Sequence, residues 1–276
     1  MDATWGARGG RTRNGVRNRA LFLSDTHLAT RACRAHELLD FLRHNDADTI
    51  YLVGDIIDFW RIRRGAVWPQ AHSDVMQILL HKMRSGTRLV LIPGNHDEGL
   101  RGYCGTSFSG IEILRDCVHV TSDGRRLLVT HGDEFDVIVR YAKWLAFLGD
   151  RGHVLARSLN SPLRWTRQHF GVGLWSLSAY LKLKVKTAVN FIGEFEDALA
   201  AEARRRGMDG VVCGHIHHAA SREIAGIQYL NCGDWVESCT AVAEDAAGEL
   251  RIIDWLEATR ERDPRAAAVA HLKEAA

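Results

Sequence analysis

The stretch Arg88-Leu-Val-Leu-Ile-Pro-Gly-Asn-His-Asp97 decides how this chain is read. Its apolar run has the length and composition of a buried strand, Pro93 and Gly94 stop it, and three polar side chains follow at once. Asn95, His96 and Asp97 need partners there, because burying polar groups unpaired is costly. Four more polar blocks follow apolar strands in the same way: Asp25-Thr26-His27, Gly54-Asp55, His131-Gly132-Asp133 and Gly214-His215-Ile216-His217. Each alone is weak, since Asp-x-His arises by chance, Gly-Asp usually marks a turn, and a single histidine is usually a hydrogen-bonded core residue. Five such blocks, each placed directly after a strand, are not five accidents.

Working outward, Ala20–Ser24, Thr49–Val53 and Arg88–Pro93 read as buried strands, with Cys33–His44 and Gln70–Arg84 as the helices between them. That predicts a parallel βαβαβ unit. Ile111–Leu114, Val118–Thr121, Leu127–Thr130, Asp209–Cys213, Ile227–Asn231, Ala241–Glu244 and Leu250–Ile253 read as further strands. Between them, about residues 136–206 are mostly helical. Leu177, Leu181, Val185, Ala188, Ile192, Phe195 and Leu199 fall at helical steps, and the helix should end at Arg206–Gly207.

In an α/β sheet, ligands collect at the carboxyl ends of the strands. On an extended segment, side chains two apart point the same way, so Asp25 with His27, and His215 with His217, are each expected to offer two ligands to one point. The glycines permit sharp turns and close approach. Carboxylate, imidazole and one amide oxygen suit Mn²⁺, Fe²⁺ or Zn²⁺ better than Ca²⁺ or a structural zinc site. Seven candidate ligands exceed one tetrahedral ion and suit two, which at roughly 3.5–4 Å separation bind a bridging hydroxide and polarise a phosphoryl oxygen.

These blocks, in this order over residues 21–217, resemble the signature of the calcineurin-like metallophosphoesterases, D-x-H, G-D, G-N-H-D, H-G and G-H-x-H. The resemblance implies an α/β fold, a four-layer α-β-β-α sandwich of two sheets flanked by helices. It implies that Asp25, His27 and His217 hold one metal, that Asn95, His131 and His215 hold the other, and that Asp55 bridges them. It makes His96 the catalytic residue that contacts phosphate and protonates the leaving group, oriented by Asp97. Asp25-Thr-His-Leu28, Gly54-Asp-Ile-Ile-Asp-Phe-Trp60, His131-Gly-Asp133 and Asn231-Cys-Gly-Asp-Trp235 are similar to the UDP-2,3-diacylglucosamine hydrolases of lipid A synthesis. The best-known members of that branch carry arginine where this chain has His96. The branch implies a helical, lipid-holding cap between the H-G and G-H-x-H blocks, where this chain has residues 136–206.

Charge supports a cap with its own character. Residues 137–193 hold Arg140, Lys143, Arg151, Arg157, Arg164, Arg167, Lys182, Lys184 and Lys186 against Asp150, a net of +8, with Trp144, Phe147, Trp165, Phe170, Trp175, Tyr180 and Phe191 interleaved. Basic and aromatic side chains together suit an anionic amphiphile at a phospholipid surface. An ordinary helical hairpin with a solvated basic face is the plainer alternative, and single-stranded nucleic acid is another occupant of such surfaces. Asp58, Trp175, Lys182 and Lys186 are the expected substrate contacts.

Residues 1–19 are expected to be a disordered basic tail, with Arg8, Arg11, Arg13, Arg17 and Arg19 against Asp2. They lack the apolar stretch of a signal peptide. The single domain is then residues 20–262 with its cap, and 263–276 a polar, alanine-rich tail. The remainder of the chain sums to a net negative charge, which argues against a generally nucleic-acid-binding surface. Cys33, Cys104, Cys117, Cys213, Cys232 and Cys239 include no CxxC pair and read as free thiols of a reducing cytoplasm. No run approaches the roughly 18 apolar residues of a membrane span, so any membrane contact is expected to be peripheral; the branch resemblance implies the cytoplasmic side of the inner membrane.

Three functions follow. The leading one is hydrolysis of UDP-2,3-diacylglucosamine to UMP and an acylated sugar 1-phosphate. The others are a soluble metal-dependent phosphodiesterase or nuclease acting on nucleotides or nucleic acid, and an inactive metal-binding scaffold. A scaffold should have lost a ligand or the acid, yet every motif position is filled. The sequence leaves the oligomeric state open.

Overall fold

The computed structural model describes residues 16–135 and 192–262. The cap expected over 136–206 therefore lies outside the described residues as far as 191, as do Trp175, Lys182, Lys186 and the outer parts of both tails.

The expected βαβαβ unit forms. Strand β1 (Val16–Leu23) leads through α1 (Ala35–His44) to β2 (Asn45–Val53), and through the short α2 (Phe59–Arg63) and α3 (Gln70–Arg84) to β3 (Arg88–Ile92). β1 pairs with β2 and β2 with β3, all parallel. After a 3-10 turn at Glu98–Tyr103 come β4 (Thr106–Phe108), β5 (Ile111–Ile113), β6 (Cys117–Val120) and β7 (Arg126–Val129). Residues 192–205 form helix α4. Then follow β8 (Gly210–Cys213), β9 (Ala220–Ile224), β10 (Ile227–Asn231), β11 (Thr240–Glu244), β12 (Leu250–Asp254) and α5 (Trp255–Arg262). Seven strands make one sheet in the order β12-β11-β1-β2-β3-β5-β4, and five make the second, β6-β7-β8-β10-β9.

Alternation along the strands sorts the side chains into three cores. Leu21, Leu23, Ile50, Leu52 and Leu89 face α1 and α3, where Leu38, Phe41, Leu42, Val75 and Leu79 meet them. The opposite faces of the same strands, through Ala20, Phe22, Tyr51, Val53, Val90 and Ile92, pack on Leu127, Val129, Val212 and Leu230 of the second sheet. That sheet's outer face, with Leu128, Val211 and Tyr229, is covered by Phe195, Leu199, Ala200 and Ala203 of α4. The layers thus run helix, sheet, sheet, helix, as expected. α4 ends where its sequence says: Met208 N donates to Ala203 O and Gly207 N to Arg204 O, with Gly207 at φ 68°. These are the two bonds of a glycine-capped helix terminus.

One expectation is corrected. Residues 16–19, assigned to the tail, belong to β1: Val16, Arg17 and Asn18 pair with Asn45, Asp46 and Ala47. Arg17 bonds to Asp48 and Arg19 approaches Glu244 at 3.5 Å, while Asn18 is buried. Polar side chains with local partners disguise this end of the strand.

Candidate metal centre

The polar blocks stand at the carboxyl ends of β1, β2, β3, β7 and β8, so both sheets present their ligand-bearing loops along one edge. The first two loops lie side by side, Asp25 N donating to Gly54 O at 3.0 Å and His27 N to Asp55 O at 2.9 Å.

The backbone there is left-handed. Asp25, His27, Asp55, His215 and His217 have φ between 46° and 72°, a conformation that costs a side-chain-bearing residue roughly 1–2 kcal/mol. Such strain persists where the surrounding fold over-determines it, and it gathers at functional sites. It also corrects the extended-segment expectation. Asp25 and His27 do meet at one point, joined by His217, but His215 turns instead to Asp55 and His131. The two histidines of one block thus serve two places.

Two clusters result. In the first, His217 Nε2 lies 3.3 Å from Asp25 Oδ1 and 3.2 Å from His27 Nε2, with His27 Nε2 3.8 Å from Asp25 Oδ1. In the second, His131 Nε2 is 3.6 Å from Asp55 Oδ2, and the His131 and His215 rings are 5.2 Å apart. Asp55 faces both, since Oδ2 is also 3.9 Å from His27 Nε2. Each carboxylate is steered by a backbone amide of another block. His215 N donates to Asp25 Oδ2 at 2.8 Å and His96 N to Asp55 Oδ1 at 2.7 Å, which leaves the other oxygen facing inward. Ser24 Oγ also donates to Asp25 Oδ2. His131 Nδ1 sits 2.9 Å from Val53 O, and a carbonyl only accepts, so Nδ1 carries the proton and Nε2 faces the centre.

Close approach depends on glycine here. A Cβ on Gly94 would fall 2.6 Å from His131 Nε2, and one on Gly214 would fall 2.5 Å from Asp25 Oδ2.

The electrostatics are those of a site built around charge. Burial disfavours the charged form of Asp55, yet the neighbouring His131 ring and the other imidazoles around it hold its carboxyl well below the usual range. For Asp25, burial is likewise outweighed by His217 and His131. Burial opposes protonation of His131, but Asp55 and Asp25 push it up to about 10.

The donor set fits divalent cations. Asp25 Oδ1, Asn95 Oδ1 and His131 Nε2 are buried with no hydrogen-bond partner among the described residues, a costly state that a cation relieves. Among the described residues, three groups have their ligand atoms within 4.8 Å of one another: Asp25, His27 and His217; Asp55, His131 and His215; and His27, Asp55 and His96.

Two assigned roles change. Asp97 does not face His96. Its carboxylate is fully buried and accepts from Gly94 N at 2.6 Å, Ile56 N at 2.8 Å and Asp55 N at 3.3 Å, tying the Gly-Asp loop to the Asn-His-Asp loop. The carboxylate beside His96 is Asp58, expected to bind substrate but buried, with Oδ2 3.1 Å from His96 Nδ1. The His96 ring also lies against Trp60, centroids 4.1 Å apart.

Two residues quoted only for the branch resemblance turn out to support the loops. Asp234 Oδ2 is 3.8 Å from His217 Nδ1 while its Oδ1 accepts from Val236 N and Glu237 N. Asn231 Nδ2 donates to Gly214 O at 2.8 Å. Their only sequence signal is position, directly after an apolar strand like the other blocks.

Two packed sheets sandwiched by helices, with carboxylates and imidazoles clustered at their shared edge, define a metal-dependent phosphoesterase. The calcineurin-like phosphoesterase family matches residues 19–219, and the chain belongs to it, as a hydrolase acting on phosphate bonds. Curated relatives narrow the comparison. The chain is 25% identical over 228 residues to the UDP-2,3-diacylglucosamine hydrolase of Ralstonia nicotianae, covering 78% of this chain and 82% of that one. It is 27% identical over 238 residues to the UDP-2,3-diacylglucosamine hydrolase of Pseudomonas savastanoi pv. phaseolicola, covering 78% and 87%. Among solved structures, a predicted phosphoesterase of Streptococcus pneumoniae aligns with 86% of this chain and 90% of its own at 14% identity and TM-score 0.37.

Proposed function

We propose that this chain cleaves the pyrophosphate of a UDP-linked, acylated glucosamine, releasing UMP and the acylated sugar 1-phosphate. The observation that carries the chemistry is Asp55, whose Oδ2 faces the His27 side of one cluster and the His131 side of the other. Asp25, His27 and His217 would hold one divalent cation, Asn95, His131 and His215 a second, and Asp55 both. The donors suit Mn²⁺, with Fe²⁺ or Zn²⁺ compatible. Two such cations acidify water at neutral pH and polarise phosphoryl oxygens. The chain's own residues do the rest. His96, side chain 23% exposed beside Asp55, holds a proton at Nε2 for the departing oxygen, and Asp58 keeps Nδ1 turned away from it. Asp97 keeps the two central loops in register.

The substrate class is supported by the curated relatives and by the basic, aromatic composition of residues 137–193. Residues 136–206 are proposed as a cap inserted in the domain of residues 20–262, with Trp175, Lys182 and Lys186 as substrate contacts and the cytoplasmic surface of the inner membrane as the working site. No helix among the described residues is long and apolar enough to cross a membrane.

The test is kcat/KM with Mn²⁺ for UDP-2,3-diacylglucosamine beside its deacylated form and a panel of nucleotides. Each sheltered methylene is worth about 0.8 kcal/mol, so the diacyl substrate should win by orders of magnitude, and Trp175→Ala or cap deletion should erase the difference. Equal efficiency on both substrates, indifferent to the cap, refutes the lipid reading and leaves a generic two-metal phosphoesterase.

A further inference from the structure

α2 and the turn after it read Phe59-Trp-Arg-Ile-Arg-Arg-Gly-Ala-Val-Trp68, and every residue from 60 to 68 is exposed. Four of them are large and apolar: Trp60, Ile62, Trp68 and Val67, the last 80% exposed. α2 has no buried residue, so this apolar surface is not folding the domain. Arg61, Arg63 and Arg64 stand between the apolar side chains, with no acidic residue from 59 to 73. Arg31 and Arg61 both line a groove of about 610 Å³, together with Ala29, Ala32, Ala66 and Val67. Among the described residues, none of these four guanidinium groups has a carboxylate within 4.0 Å. Unpaired cations ringing an exposed apolar patch call for a partner that is both anionic and apolar.

We infer that this edge seats the enzyme on an anionic phospholipid bilayer, with a lipid phosphate between Arg31 and Arg61 and Ile62, Val67 and Trp68 at the acyl boundary. Tryptophan favours the membrane interface, and arginines beside it are drawn to anionic headgroups. Ile62 and Val67 favour lipid over single-stranded nucleic acid, because aliphatic side chains offer bases no stacking surface. Trp60 joins the patch to the site through its contact with His96, so a chain seated here holds its acid residue beside the lipid surface. The inference rests on the proposed membrane partner and names a face for it outside the cap.

The experiment is co-sedimentation of the full chain with vesicles of phosphatidylcholine alone and of phosphatidylcholine mixed with phosphatidylglycerol. Binding should need the anionic lipid. Each basic residue near such a surface is worth about fivefold, so Arg63→Gln with Arg64→Gln should weaken partition about 25-fold, and Val67→Ser should weaken it further. Hydrolysis of a soluble nitrophenyl phosphodiester and the melting temperature should be unchanged in both variants, which separates lost docking from misfolding. If the parent chain binds and these variants bind equally well, this face is not the seat, while the membrane reading survives through the cap. If the parent chain ignores anionic vesicles, both fail together. Tighter binding to a labelled single-stranded oligonucleotide than to vesicles, lost in the same variants, would overturn the lipid assignment in favour of nucleic acid.

Discussion

Asp58 Oδ2 lies 3.1 Å from His96 Nδ1, and Asp58 Oδ1 accepts from Arg61 N at 2.8 Å. One buried carboxylate thus caps α2 and sits behind the histidine proposed as the acid. The first turn of α2 is thereby linked to the chemistry. His96→Ala should keep its metal and lose roughly 10²–10⁴ in kcat. Asp58→Asn should lose roughly 10–100-fold, the range for removing an orienting carboxylate. Metal analysis beside the kinetics decides it: loss of both ions with His96 would place that histidine among the ligands.

Asp55 is expected to be the shared ligand. Asp55→Ala should abolish turnover and bring bound metal well below two ions per chain. Unchanged stoichiometry would remove Asp55 from the centre.

Gly94 approaches His131 too closely for any side chain. Gly94→Ala must push the Asp55 carboxylate, the His131 ring or the Asn95 loop aside, an overpacking cost of about 1–3 kcal/mol. A lower melting temperature together with weaker metal binding is the expected result. A fall in melting temperature with metal affinity intact would mean that the loop, and neither Asp55 nor the ring, had given way.

The thiols should be inert. Burial pushes Cys33, Cys117, Cys213 and Cys239 up to about 12 and Cys232 well above its ordinary value. The reacting species is the thiolate. Cys104 is half-buried, and Arg115 and Arg101 oppose the upward pull of burial on it. Alkylation of the native protein followed by mass spectrometry should therefore find Cys104 modified first. Rapid labelling of Cys213 or Cys239 would show that the cores open more readily than their packing implies.

The strands and their polar ends were legible in the chain because both signals are local. An apolar run such as Leu89–Ile92 followed by Pro-Gly and polar residues reads the same whatever surrounds it, and the first unit assembles as read. The end of α4 was legible for the same reason, since Arg204–Gly207 carries its own capping chemistry. Where polar residues were paired across the fold, the signal failed: Arg17 with Asp48 and Arg19 with Glu244 made the start of β1 look like tail.

Which side chain faces which was a different matter. The sequence by itself determined that carboxylates, imidazoles and an amide would gather at the strand ends, because residue type and place after a strand are written in it. Only the tertiary structure decided that His215 and His217 part company, that Asp97 gathers backbone amides, and that Asp58 stands behind His96. Those choices depend on left-handed turns held by contacts between loops distant in sequence, such as Asp25 with His215 and Asp55 with His96. No local periodicity encodes them, because the torsions are favourable only once the two sheets have brought the loops together.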